Sequence, residues 1–223
     1  MDSDKVKRFK KTDLYSPLMK AKLEDTLVGY HYTTPGAYES MGAKGGFAGL
    51  IPKREFIQPS DSKGLPDEAY QNVIEGLLEP MPRSWIQNPE FPEPLCSPWW
   101  YLIHDVGMID GVMLLSFELK PTDRAYVVER AHVERELYRE SLSKGKSTEK
   151  TRGGAFKEFW ESRVPVFEYD GSYSMPQLAI WSKIGYNRLR VEWVKPADEV
   201  QAGVLDNNTI SYPQLSNYSS ISS

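Results

Sequence analysis

Between Gly111 and Leu119 the chain reads GVMLLSFEL, and beyond a Lys-Pro-Thr-Asp turn it resumes as AYVVE over Ala125–Glu129. The part from Gly111 to Phe117 is the longest apolar stretch present, and it falls well short of the roughly eighteen residues needed to cross a bilayer. It is therefore expected to be a strand buried in a protein core, and Ala125–Glu129 a second strand beside it. Two further strands are predicted at Leu178–Trp181 and Leu189–Val194.

Helical spacing runs through Pro66–Leu78, with Ala69, Val73, Ile74, Leu77 and Leu78 on one side. Arg130–Leu142 reads as a highly charged helix, and Ala155–Ser162 as a short one with Phe156, Phe159 and Trp160 on its apolar side. Between them, Ser143–Gly154 has the composition of a loop. Helices gather in the first half and strands in the second without a regular βαβ alternation. The expectation is an α+β domain with mixed or antiparallel sheets.

The chain has 223 residues, of which 40% are hydrophobic and 12% aromatic, enough for one substantial core and too many for a disordered chain. The predicted organisation is a basic arm or helix over 1–25, a single domain over 26–205 and a polar, Ser/Asn-rich tail over 206–223. A net charge of -4 from intermixed acidic and basic residues argues against a nucleic-acid partner, and no membrane span or secretory signal is read. The single cysteine, Cys96, excludes an internal disulfide and a cysteine-rich zinc site. Glu79–Pro98 holds six of the sixteen prolines, so it is expected to be a long surface loop anchored by Trp85, Phe91, Trp99 and Trp100.

Chemistry concentrates in Leu27–Ser60, LVGYHYTTPGAYESMGAKGGFAGLIPKREFIQPS. An extended pattern through Tyr30 and Tyr32 carries His31 and Thr33 on the alternate face, Thr34 and Pro35 read as cap and first residue of a helix, and Gly45, Gly46 and Gly49 as its end. This succession resembles the first motif of the ADP-ribosyltransferase fold, in the branch whose three motifs centre on His, Tyr and an acidic residue. The resemblance implies two small sheets that grip NAD in a cleft with flanking helices. It also implies that His31 hydrogen-bonds the adenosine ribose while the backbone of Tyr32 and Thr33 grips the nicotinamide amide. The second motif supplies an aromatic ring that stacks on nicotinamide, for which Tyr70 is the first candidate, with Trp85 and Tyr101 as alternatives.

SYSMPQLAIW, Ser172–Trp181, followed by Leu189–Val194 resembles the third motif, and there Gln177 stands where the family has its catalytic glutamate. That glutamate bonds the nicotinamide ribose and stabilises the oxocarbenium-like transition state. A glutamine retains a hydrogen bond and lacks the charge. Two other readings stay open, a shifted register that makes Glu168 or Asp170 the acid, and a Gln177 that merely faces solvent.

Of the remaining histidines, His132 reads as a helix residue, and adjacent His104 and Asp105 do not make a hydrolase pair. Walker and GxGxxG phosphate loops are absent. The resemblance implies a mono-ADP-ribosyltransferase of the bacterial effector or toxin kind. Such a protein is cytoplasmic or injected into a host cell and acts on a protein acceptor such as ubiquitin or a small GTPase. The contrasting expectation is a catalytically silent module that binds a partner through the same cleft or through the aromatic loop 85–101.

Overall fold

Residues 27–42, 48–80, 110–143 and 149–198 are described in the structure, a computed structural model. The apolar run becomes a strand, β5, over Val112–Leu119, with every residue buried except Glu118. Burial on both faces follows from its place at the centre of a three-stranded antiparallel sheet, between β1 (Leu27–Thr33) and β10 (Leu189–Lys195). β1 aligns Leu27 with Leu119 and Thr33 with Met113. β10 pairs along the other edge, with a bulge at Glu192 between Val191 and Trp193.

A second antiparallel sheet has the order β3-β4-β8-β6-β7, formed by Arg54–Glu55, Asn72–Gly76, Pro176–Ile180, Ala125–Glu129 and Val164–Pro165. A short pair, β2 (Gly49–Leu50) with β9 (Ile184–Gly185), stands apart. Three helices complete the described residues: α1 (Pro35–Gly42), α2 (Ala131–Ser143) and α3 (Glu149–Glu161). The protein is thus a mixed α+β structure with antiparallel sheets, and no helix among the described residues is long and apolar enough to cross a membrane.

Strand alternation sets the layers. Ile74, Leu178, Ile180 and Val127 of the larger sheet join Leu27, Leu115, Phe117 and Leu119 of the smaller one in one core. On the other face of the larger sheet, Val73, Val128 and Ala179 meet Phe56, Val133, Phe156, Phe159 and Trp160 in a second core beneath the helices. Arg152 of α3 fastens this layer, pairing with Asp61 at 2.7 Å and with Glu140 at 3.4 Å.

Besides sharing this first core, the two sheets are joined through backbone hydrogen bonds at one bridge among the described residues. Tyr30 and Leu77 exchange backbone hydrogen bonds of 2.9 and 2.8 Å, an isolated bridge between β1 and the end of β4. Close approach there requires glycine on both strands. A Cβ on Gly29 would lie 2.6 Å from the Phe117 ring, and one on Gly76 would lie 2.9 Å from the Tyr30 carbonyl oxygen.

Three sequence expectations are corrected. Pro66–Leu78 is not a helix: one 3-10 turn, Asp67–Tyr70, leads into β4. Val73 and Ile74 are apolar because a central strand buries one on each face, which helical spacing mistakes for a single stripe. The loop predicted over Ser143–Gly154 is already helical from Glu149, since Arg152 has carboxylates on both sides to anchor it. Among the described residues the two longest helices consequently lie in the second half of the chain. The arm 1–25, the loop 85–101 with Trp85 and Tyr101, Cys96, His104 and the tail 206–223 lie outside the described residues.

Candidate functional site

Beyond the Tyr30–Leu77 bridge the strands part, β1 following β5 and β4 following β8. His31 sits at this fork. Its Nδ1 lies 2.7 Å from the carbonyl oxygen of Glu75, the residue two places before Leu77. A carbonyl only accepts, so Nδ1 carries the proton and Nε2 is left with its lone pair. Burial pushes the imidazole pKa below its ordinary value of 6.5, and the weaker opposing pull of the Glu75 carbonyl does not reverse this. At neutral pH the ring is therefore uncharged, with one tautomer favoured and an acceptor nitrogen at the fork.

The segment after His31 is built as its residues dictate. Tyr32 and Thr33 are both buried. The Tyr32 ring stands edge-on to Trp193 with centroids 5.8 Å apart, and its hydroxyl donates to the Pro80 carbonyl. Tyr32 is thus a packing residue whose side chain is already engaged, leaving only a backbone role for the sequence reading. Thr34 caps α1, its Oγ1 accepting the Ala37 N–H at 3.2 Å, with Pro35 as the first helical residue. The helix ends at Gly42, and Gly45 and Gly46 lie outside the described residues.

Tyr70 is placed elsewhere. Its hydroxyl accepts the Leu65 N–H at 3.0 Å and donates to the Ser62 carbonyl at 3.1 Å, and its ring packs against the helix-side core. These contacts staple the 62–70 loop, so the structure does not bring Tyr70 to the fork. In α1, Tyr38 stacks on Tyr186 with ring centroids 5.5 Å and hydroxyls 2.8 Å apart.

Gln177 is the second residue of β8, opposite Val128. It does not face solvent: it is 3% exposed, and its Oε1 has no hydrogen-bond partner among the described residues. An unpaired buried amide oxygen costs about 1–3 kcal/mol, so its retention calls for an explanation. Glu168 and Asp170 do not replace it. Glu168 is exposed in a 3-10 turn, and Asp170 accepts the Ser172 N–H at 3.1 Å in a local turn.

Continuing the β4–β8 ladder one step past Gly76–Leu178 sets Leu77 opposite Gln177, so Gln177 shares a pleat face with Leu77 and Tyr30. His31 turns to the other side of the pleat. The two residues stand on strands flanking β4, about 10 Å apart at two strand spacings. A single hydroxyl cannot engage both.

Two acidic residues escaped the sequence reading. Glu129, 8% exposed, accepts N–H groups from Ala131, Ser174 and Met175 at 3.3, 2.6 and 2.8 Å. Glu192, the bulged residue of β10, accepts the Ser116 hydroxyl, and the two carboxylates Glu192 and Glu79 add to burial in raising the Tyr30 pKa. Neither shows a motif spacing; a polar letter closing the apolar run AYVV was the one available signal for Glu129. His132 is a surface residue whose Nδ1 lies 3.1 Å from Glu158. No group of His, Cys, Asp and Glu suited to a metal occurs among the described residues. No protein-family model, curated protein or solved structure matches this chain.

Proposed function

We propose that the protein binds NAD across the fork and is an ADP-ribosyltransferase of the His-Tyr-acid branch whose activity is weakened by Gln177. The observation that supports this reading best is the neutral His31 imidazole at the parting of the two sheets, its Nδ1 committed to the Glu75 carbonyl and its Nε2 left as an acceptor. An acceptor nitrogen suits a ribose hydroxyl, which has a proton to donate. A dinucleotide is also long enough to reach from His31 to Gln177.

In this reading His31 orients the adenosine ribose, and the Gln177 side chain meets the nicotinamide ribose, its orphaned Oε1 accepting a hydroxyl proton. The glycosidic bond to nicotinamide breaks with its electron pair leaving on nicotinamide, and a nucleophile of a protein acceptor attacks the anomeric carbon. Charge is the missing element. Opposite unit charges about 4 Å apart at an effective dielectric near 20 attract by about 4 kcal/mol, which is roughly a thousandfold in rate. Gln177 forgoes that attraction.

One observation favours a second reading, a silent binding module on the same fold. Gln177 is closed off from solvent, so engaging it needs the first residues of β8, Pro176 and Gln177, here called the β8 entrance, to open. Calorimetric NAD binding and nicotinamide release, measured on the chain as it stands, on Gln177→Glu and on His31→Ala, separate the two. Binding lost in His31→Ala together with release raised in Gln177→Glu supports the transferase. Binding without release in either form supports the silent module, and no binding in any form rejects NAD.

A further inference from the structure

The chain immediately before Gln177 is held by an unusual clamp. Pro176 has no N–H to give to the ladder opposite Glu129. The Glu129 side chain makes up the loss by capturing the two preceding N–H groups, Ser174 on Oε2 and Met175 on Oε1, while Oε1 also takes Ala131 at the start of α2. The Met175 carbonyl in turn accepts the Arg130 N–H at 3.0 Å. A second anchor lies one residue earlier. The Tyr173 hydroxyl donates to the Ser162 carbonyl, and the Ser162 hydroxyl accepts the Glu129 N–H at 2.9 Å. Residues 173–175 are therefore tied to the ends of β6 and α3 from two sides, directly ahead of the residue whose amide oxygen has no partner among the described residues.

We propose that Glu129 is a positioning residue that sets the depth and register of Gln177 at the site; the proposal rests on the NAD reading above for its functional half. Hydrogen bonds to a buried carboxylate are the strong kind, and both oxygens are in use. A glutamine at 129 has one acceptor oxygen for three donors, and its NH2 faces an N–H that it cannot receive. The clamp loosens, and the β8 entrance with Gln177 shifts, while the fork around His31 is held independently by the Glu75 carbonyl and the β1–β5 ladder.

The test is made on the full chain with Glu129→Gln and, as a milder variant that keeps its aromatic ring, Tyr173→Phe. In nitrogen-correlated NMR spectra the Gln177 side-chain amide should shift or broaden in both. Backbone exchange at Leu178 and Ala179 should quicken about tenfold or more, while Leu114 and Leu115 in β5 keep their rates. Unchanged Gln177 signals and unchanged β8 exchange in a folded Glu129→Gln protein overturn the proposal, whatever NAD does. For the functional half, the NAD dissociation constant should rise about tenfold in Glu129→Gln and rise no further when Gln177→Ala is combined with it, since both changes remove one coupled element. Full additivity of the two also overturns it. Absence of NAD binding in every form rejects the NAD reading alone, because the NMR arm still judges the clamp.

Discussion

His31 and Gln177 stand two strands apart, yet their hydrogen bonding is opposite in kind. His31 is half-buried, with one ring nitrogen bonded to a carbonyl that fixes its tautomer. Gln177 is sealed, with its amide oxygen unpartnered among the described residues. The contrast teaches that a hydrogen-bonding residue withdrawn from water is prepared in two ways, by fixing which of its atoms accepts, or by leaving an acceptor without a donor.

The comparison fails most completely if the seam beneath both residues collapses. Leu178 is fully buried, fills the space against Gly29 and Gly76, and sits beside Gln177 in the chain. Leu178→Ala should cost about 2–5 kcal/mol in urea unfolding and should disturb His31 and Gln177 together. An effect confined to one of them would show that the fork and the β8 entrance are separate units.

Gln177→Glu probes the sealed side. A carboxyl without a partner at this depth should have its pKa raised above the unfolded value by desolvation. The unfolded chain then loses its proton first as pH rises, so the variant's stability deficit should grow from pH 4 upward, reaching about 2–4 kcal/mol by pH 8. A deficit that is flat with pH would mean that the side chain reaches water. Gln177→Leu should be neutral or stabilising by about 1 kcal/mol.

His31→Ala probes the fork and leaves the Glu75 carbonyl without its donor, at a cost of about 1–2 kcal/mol. The wild type carries a matching pH signature. Because the folded His31 pKa is lowered, the unfolded state binds its proton first as the pH falls below about 6.5, and the His31 contribution, complete above that pH, is lost toward the folded value. Unfolding at pH 7.5 and 5.5 should show this loss in the wild type and its absence in His31→Ala. The smallest effect is expected at Tyr70→Phe, about 1 kcal/mol from the loop hydrogen bonds, with NAD binding unchanged. A marked loss of binding would return Tyr70 to the site.

The strands at β5, β6, β8 and β10 were legible because each is apolar over its whole length or alternates plainly, and the Thr34–Pro35 helix start was legible because capping chemistry is local. β4 was not, since a strand buried on both faces and a helix with one apolar side offer the same letters over five residues. Only the second part of α3 was legible, as Ala155–Ser162; its polar first turns were missed because Arg152 is anchored there by Asp61, 91 residues away, and by Glu140 of the preceding helix. At the candidate site, the position of His31 on a strand could be read, but not its tautomer, which depends on a carbonyl 44 residues away. Glu129 showed only as a polar letter closing the apolar run AYVV; its role could not be read, because what it binds is backbone, and backbone has no letter.

The placement of β5 has one more consequence. Its two neighbours are β1 and β10, the first and last strands described, so its ladder joins segments near opposite ends of the described chain. During vectorial synthesis, β1 and β5 can pair as soon as both have emerged, but the apolar central strand keeps one open edge until Lys195 has left the ribosome. A nascent or truncated chain ending before that residue exposes the hydrogen-bonding edge of its most apolar strand. Emergence of β10 therefore doubles as protection against edge-to-edge aggregation.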